Sequence, residues 1–276
     1  MSKFGRRVKV TVETEAGAQI EIPEALRHYF ELSKSDDQNR NSGKLEIYGL
    51  SEDTRAQITA GSGRVQLEAG YRDEIETLAD VEYTRAFVRF EPPEVVTEFE
   101  LSDGGKTLLE KRVSVSFKKG TSAGRVFDEL VTQLDTPVRD TGFRPEKAFR
   151  KGFAFEGPIA SALDKVTKHD DLTWTVQDSE LVVLKPGETS QGSAVVVSPD
   201  AGMIGSPDPL NDELGSTQGK KTGYTVRTLL TPRVAPGDRV RLSSRQADGE
   251  FRARRVAHRG DTHADTYETE IEMREA

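Results

Sequence analysis

Cysteine is absent from the 276 residues, which removes disulfides, thiolate nucleophiles and thiolate zinc sites together and is compatible with synthesis in a reducing cytoplasm. Tryptophan occurs once and aromatic residues make up 7% of the chain, so ring-lined ligand platforms are scarce, and Trp174 reads as a core residue. No apolar run approaches the roughly 20 residues that a membrane-spanning helix needs. The basic opening Met1–Arg7 has no apolar core behind it, so neither a signal peptide nor a membrane span is expected. Histidine occurs four times, and outside the His258–His263 stretch no second pair of ligands stands at a recognisable metal-binding spacing.

What the chain does have is charge. Charged residues are 31% against 34% hydrophobic, and the mean hydropathy is -0.60, a balance that suits a surface committed to polar contacts with partners. The length allows two or three cores of ordinary domain size. The net charge of -8 sits at one end: residues 1–110 carry 22 acidic and 14 basic side chains, while residues 111–276 carry 25 of each. A negative module repels phosphates, which argues against sequence-specific nucleic-acid binding as the primary role. An acidic face kept for solubility is the plainer explanation of the excess.

Period-2 alternation of Val8, Val10 and Val12 opens the chain on a strand, and Leu26–Leu32 and Lys44–Leu50 read as two more. Ser51 precedes Glu52 and Asp53, which caps a short helix through about Thr59 with acids at its positive end. Arg64–Tyr71 follows as a strand. In the middle, Val113, Val115 and Phe117 alternate. Ser122 then caps a helix whose apolar face is Ala123, Val126, Phe127, Leu130, Val131 and Leu134, with Pro137 beyond it. Gly157-Pro158 starts a second helix facing inward through Ile159, Ala162, Leu163 and Val166. Leu172, Trp174 and Val176 alternate into an Asp178-Ser179 turn, and Leu181–Leu184 returns. Two amphipathic helices on a small sheet is the expected α+β solution.

Residues 185–222 break the composition, although Ala194–Val197 reads as a strand. The stretch 199–222 is rich in Gly, Pro and polar residues and is expected to be a long loop, mobile in the free subunit and ordered by a neighbour. Met203 and Ile204 are its candidate assembly anchors, because no periodic face is there for them to join. Beyond it, Pro236-Gly237-Asp238 turns, Val240 and Leu242 alternate, and Asp248-Gly249 reads as the positive-φ pair of a hairpin loop. Phe251 and Ala253 resume the alternation. Arg254 and Arg255 break phase, as a bulge would. From Tyr267 the pattern is strict, with Tyr267, Thr269, Ile271 and Met273 on one side and Glu268, Glu270, Glu272 and Arg274 on the other.

Catalytic chemistry finds little support. His258, Asp261, His263 and Asp265 are the one close group of ligand-type side chains, but His258 and His263 have opposite parity in an extended chain, and a corner with surface histidines explains them. Gly215–Thr222 mimics a phosphate loop and fails on spacing, with Lys221 between Lys220 and Thr222. No serine sits in a nucleophile elbow. No catalytic residue, cofactor or metal is expected.

The run from Leu229 through Val240, the segment Gly249–His263 and the Tyr267–Glu270 strand together resemble the closing barrel of bacteriophage tail baseplate hub proteins. Gly202–Pro207 resembles the loop that precedes that barrel, and Lys44–Tyr71 resembles the family's first barrel. Thr77–Val81 departs from the family's apolar-Gly-apolar strand. The resemblance implies a mainly β chain with two small β-barrels at 1–111 and 187–276 flanking an α+β domain at 112–186. It also implies a structural virion protein that assembles as a homotrimer in the host cytoplasm, joins the hexameric tail tube to the trimeric spike, contacts other baseplate proteins and forms part of the DNA channel. The alternative is a cell-wall-binding or lytic tail-associated protein, because two helices on a small sheet is also the form of small peptidoglycan-binding modules.

Overall fold

The computed structural model describes residues 5–36, 41–72, 74–103, 111–210 and 223–275. The first unit runs β1 (Arg6–Thr14), β2 (Gln19–Ile22), β3 (His28–Ser35), β4 (Ser42–Tyr48), α1 (Glu52–Thr59), β5 (Gly63–Tyr71), β6 (Glu74–Glu91) and β7 (Glu94–Ser102). Valines 8, 10 and 12 are buried as their alternation requires, and the Ser51 hydroxyl accepts from the Thr54 N–H at the start of α1. Strand β2 and the 18-residue β6 are absent from the sequence reading. The first half of β6 pairs with β5 and the second half with β7, with a register shift between Tyr83 and Arg85. That shift resets which parity faces inward, so one long strand never shows one long alternation.

The middle unit contains β8 (Arg112–Phe117), α2 (Ala123–Leu134), β9 (Val138–Arg139), β10 (Phe153–Pro158), α3 (Ile159–Lys168), β11 (Thr173–Gln177) and β12 (Glu180–Leu184). Both helices lie where their apolar periodicity puts them, and the Ser122 hydroxyl caps α2 through the Arg125 N–H. Among the described residues the small sheet is in two pieces, β8 with β10 and β11–β12–β9. Asp178 and Ser179 both have positive φ, as the turn of a tight hairpin demands.

The last unit contains β13 (Val195–Val197), a 3-10 turn at Pro199–Ala201, β14 (Met203–Pro209), β15 (Gly223–Leu229), β16 (Arg239–Ser243), β17 (Asp248–Asp261) and β18 (Tyr267–Arg274). Here the sequence reading needs three corrections. Residues 203–209 are not loop: they pair with β15, and a register shift between Ile204 and Asp208 hides the alternation. The rest of the expected loop, residues 211–222, lies outside the described residues, as does the whole of the phosphate-loop mimic. Asp248 and Gly249 are not the hairpin loop either, since they pair with Ser243 and Leu242. The reversal is made by Ser244–Ala247, where the Ser244 hydroxyl accepts from the N–H groups of Gln246 and Ala247. The corner at 258–262 begins later than expected, because β17 continues to Asp261.

The bulge at Arg254 is present, with the register shifting between Ala253 and Arg255. It marks a change of partner. Before it β17 pairs with β16, and after it residues 255–261 pair with β3 of the first unit, while β18 follows the other edge from Arg252 to Gly260. The two β units are therefore one 13-stranded sheet, running β14-β15-β18-β17-β3-β4-β7-β6-β5-β1-β2 with β13 and β16 branching off β17. Among the described residues the hydrogen-bonded path ends on β2 and β14, so backbone bonds between them alone close neither barrel. Three buried clusters lie beneath: one in the first unit, one between the middle helices and their strands, and one in the last unit. Leu230, just past the end of β15, and Tyr267, at the start of β18, belong to the first cluster although both are in the last unit.

Candidate assembly and inter-domain sites

Tyr267 fills the gap that the hydrogen-bonded path leaves in the first unit. Its ring meets Phe30 and Tyr71 edge-on at centroid distances of 6.0 and 5.5 Å. Its hydroxyl donates toward the carbonyls of Arg7 at 2.8 Å and Gly70 at 3.0 Å and accepts from the Gly70 N–H. Burial raises the pKa of this phenol well above its ordinary value. The Tyr71 hydroxyl reciprocates by accepting from the Leu230 N–H at 3.1 Å.

The ligand-type cluster at 258–265 turns out to be the latch beside this joint. Asp261 accepts two hydrogen bonds from Arg27 and the N–H groups of His263 and Ala264. Burial works to raise its pKa, and these bonds outweigh burial and lower it. Arg6 reaches across to the carbonyls of Asp261, Ala264 and Asp265. His258 is fully buried, shares a hydrogen bond with the Thr269 hydroxyl at 2.9 Å, and is held neutral by desolvation. His263 instead faces the Thr262 hydroxyl. Among the described residues, no three His, Asp or Glu side chains converge as a metal site.

A second joint ties the middle unit to the first through polar side chains that are out of water. Lys34 donates to both Asp178 oxygens at 2.6 and 2.7 Å and to the Leu78 carbonyl at 2.8 Å. Asn41 bridges Asp103 and the Val176 carbonyl, and the Asp178 N–H also reaches Asp103. Ser179 donates to the Asp80 carbonyl. Burial, then the nearby Asp178 charge, pushes the Asp103 carboxyl up to about 6. None of these residues emerged as a candidate from the sequence, yet a signal was present. Lys34 is in phase with His28, Phe30 and Leu32, and Asp103 is in phase with Phe99 and Leu101, so each places a charge on an inward face. Beside this joint an open cleft of about 760 Å³ is lined by residues that include Arg64, Glu82, Lys111 and Glu180.

Of the two loop anchors, Met203 packs against the core of its own last unit. Ile204 lies opposite Arg227 on the edge strand β14. The largest exposed apolar side chain is Phe90, 72% exposed near the tip of the β6–β7 hairpin.

No family model and no curated protein matches the chain by sequence. Solved structures do match it, along nearly its whole length. A tail protein of Neisseria meningitidis superimposes with a TM-score of 0.66 at 12% identity, covering 99% of this chain and 97% of its own. The 43 kDa tail protein of prophage MuSo2 from Shewanella oneidensis gives 0.63 at 10% identity, with 98% and 97% covered. The chain has the fold of phage tail proteins. A component of the Escherichia coli type VI secretion system, itself described as similar to bacteriophage T4 tail proteins, matches with a TM-score of 0.59 at 8% identity over 96% of this chain and 76% of its own. In this tail-protein fold the Tyr267 joint and the Lys34–Asp178 joint determine how the three cores are held together.

Proposed function

We propose that the chain is a structural virion protein of a bacteriophage tail, the hub subunit of a baseplate or tail tip, divided at 1–111, 112–186 and 187–276. The single observation that carries this reading is strand β17, which belongs to both β units and presents them as a pair joined by one backbone ladder. Three such pairs make a ring of six similar units, the geometry needed to join a hexameric tail tube to a trimeric spike. The subunit works by binding its neighbours and performs no catalysis. The acidic excess of residues 1–110 partly lines the channel, where like charge keeps passing DNA from sticking. The free edge of β14, with Ile204 on it, is one of the assembly surfaces. The test is to mix the chain with its cognate tube and spike proteins and image the product by electron microscopy. A threefold ring with an acidic lumen is expected; a chain that stays strictly monomeric overturns the reading, and a lumen lined mainly by Lys and Arg overturns the channel assignment.

A further inference from the structure

Two runs in the middle unit share one pattern, Phe117-Lys118-Lys119-Gly120 and Phe149-Arg150-Lys151-Gly152. The fold sets them side by side at one end of the β8–β10 pair, where Phe117 lies opposite Phe153. The N–H groups of Gly120 and Gly152 both donate to the Phe149 carbonyl, at 3.0 and 3.1 Å, and the Phe149 N–H donates to Thr121 at 2.9 Å. Both glycines have positive φ, 85° and 87°, so each chain reverses directly after its two cations. Gly152 lies so close to the other turn that an added Cβ would sit 2.7 Å from the Phe117 carbonyl oxygen. Lys118, Lys119, Arg150 and Lys151 are consequently crowded into one exposed corner. Their neighbours Arg144 and Lys147 are paired with Asp128 and Asp171. Among the described residues none of the four corner cations has an ion-pair partner.

The corner lies at the far end of β8 from its Arg112 end. Phe117 lies five residues beyond Arg112, about 17 Å along the strand. Contact with the first unit is made elsewhere, by the Asp178–Ser179 turn. The chain's acidic excess is in that first unit. Glu13, Arg64 and Glu82 form one cross-strand row, with Glu15 exposed just beyond Glu13, and the one cation in the row is already bonded to Asp80 through two nitrogens.

We propose that the twin basic turns of one copy dock on the Glu13–Glu15–Glu82 face of a second copy. This deepens the hub reading and rests on it. With each copy offering its basic turns to one neighbour and its acidic face to another, the contact is heterologous, and a threefold rotation closes it into the ring that a hub requires. Contacts between exposed charges steer association and weaken with salt.

The test uses the full chain, with its assembly state read by native mass spectrometry and sedimentation at low and high salt, in the presence of spike protein if the chain alone stays monomeric. Reversing Lys118, Lys119, Arg150 and Lys151 to Glu is expected to weaken assembly about tenfold or more. Glu13→Lys, Glu15→Lys and Glu82→Lys together should do the same, and combining the two sets should restore it. Circular dichroism checks the fold, and if the reversed chain misfolds, Lys118→Gln with Lys119→Gln should give a smaller loss in the same direction. A reversed chain that assembles like wild type, or two losses that do not rescue each other, overturns the docking proposal and leaves the hub reading standing. Wild type that never assembles overturns both.

Discussion

The first and last units and the first and middle units meet in two physically different ways. Between first and last, strand β17 passes from one sheet to the other and its neighbour β18 places Tyr267 in the first core, so the joint is backbone ladder and ring packing flanked by the Arg27–Asp261 and Arg252–Asp36 ion pairs. Between first and middle, the joint is a few side-chain bonds around the buried Lys34, Asn41 and Asp103 and the partly exposed Asp178. The ladder and ring packing gain from every buried atom. Asp261, whose pKa burial works to raise but the Arg27 guanidinium and two backbone N–H groups lower, adds stability that is present above the ordinary carboxyl value and lost as pH falls. The polar joint is specific because each group there needs its partner, and loses heavily when one is removed. The difference predicts that the β units unfold together, and that rising pH loosens the middle unit's attachment before it affects the β joint.

The largest effects should come from breaking either joint at its centre. Tyr267→Ala removes a buried ring and leaves the Gly70 N–H without its acceptor, and is expected to cost about 3–5 kcal/mol. Denaturant unfolding should show it in both β units at once. Lys34→Met should cost a similar amount, about 3–5 kcal/mol, because it strands Asp178 beside the buried Asp103. Here limited proteolysis should free the middle unit first. If both variants release the same fragment, the two joints are not distinct.

Asp103 sharpens the contrast through pH. Its folded pKa of about 6 lies above the ordinary 3.8, so the folded state holds the proton more tightly. The resulting stability is full below the ordinary value and is lost as pH rises through about 6, a change on the order of 2–3 kcal/mol. Asp103→Asn should remove this fall. Unfolding of wild type and variant, followed from about pH 4 to about pH 7 so as to span the ordinary and the folded carboxyl values, checks it, and parallel curves would refute the assignment.

A smaller effect is expected at Gly260, where an added Cβ would overlap the Phe30 ring across the β17–β3 ladder. Gly260→Ala should cost about 1–3 kcal/mol, and hydrogen exchange should rise in 255–261 before it rises in the middle unit. The smallest separates core from assembly on β14. Met203→Ser should lower stability by about 1 kcal/mol or somewhat more, since Met203 is only partly buried. Ile204→Ser should leave the melting temperature nearly unchanged and weaken assembly, the outcome that the sequence alone predicts for both residues.

Much of the architecture is legible in the residues themselves. The helices at 52–59, 123–134 and 159–168 follow from caps and 3.6-residue periodicity, and the strand at 267–274 follows from strict alternation, because each needs only local information. Even the bulge at Arg254 shows, as a break in phase. What tertiary structure alone decided is partnership. Nothing local says that β17 changes sheets at its bulge, that residues 203–209 pair with β15 across a register shift, or that Lys34 on an inward face will find Asp178. Those choices rest on contacts between residues far apart in the chain, whose energies depend on shape and burial that no short window of sequence contains.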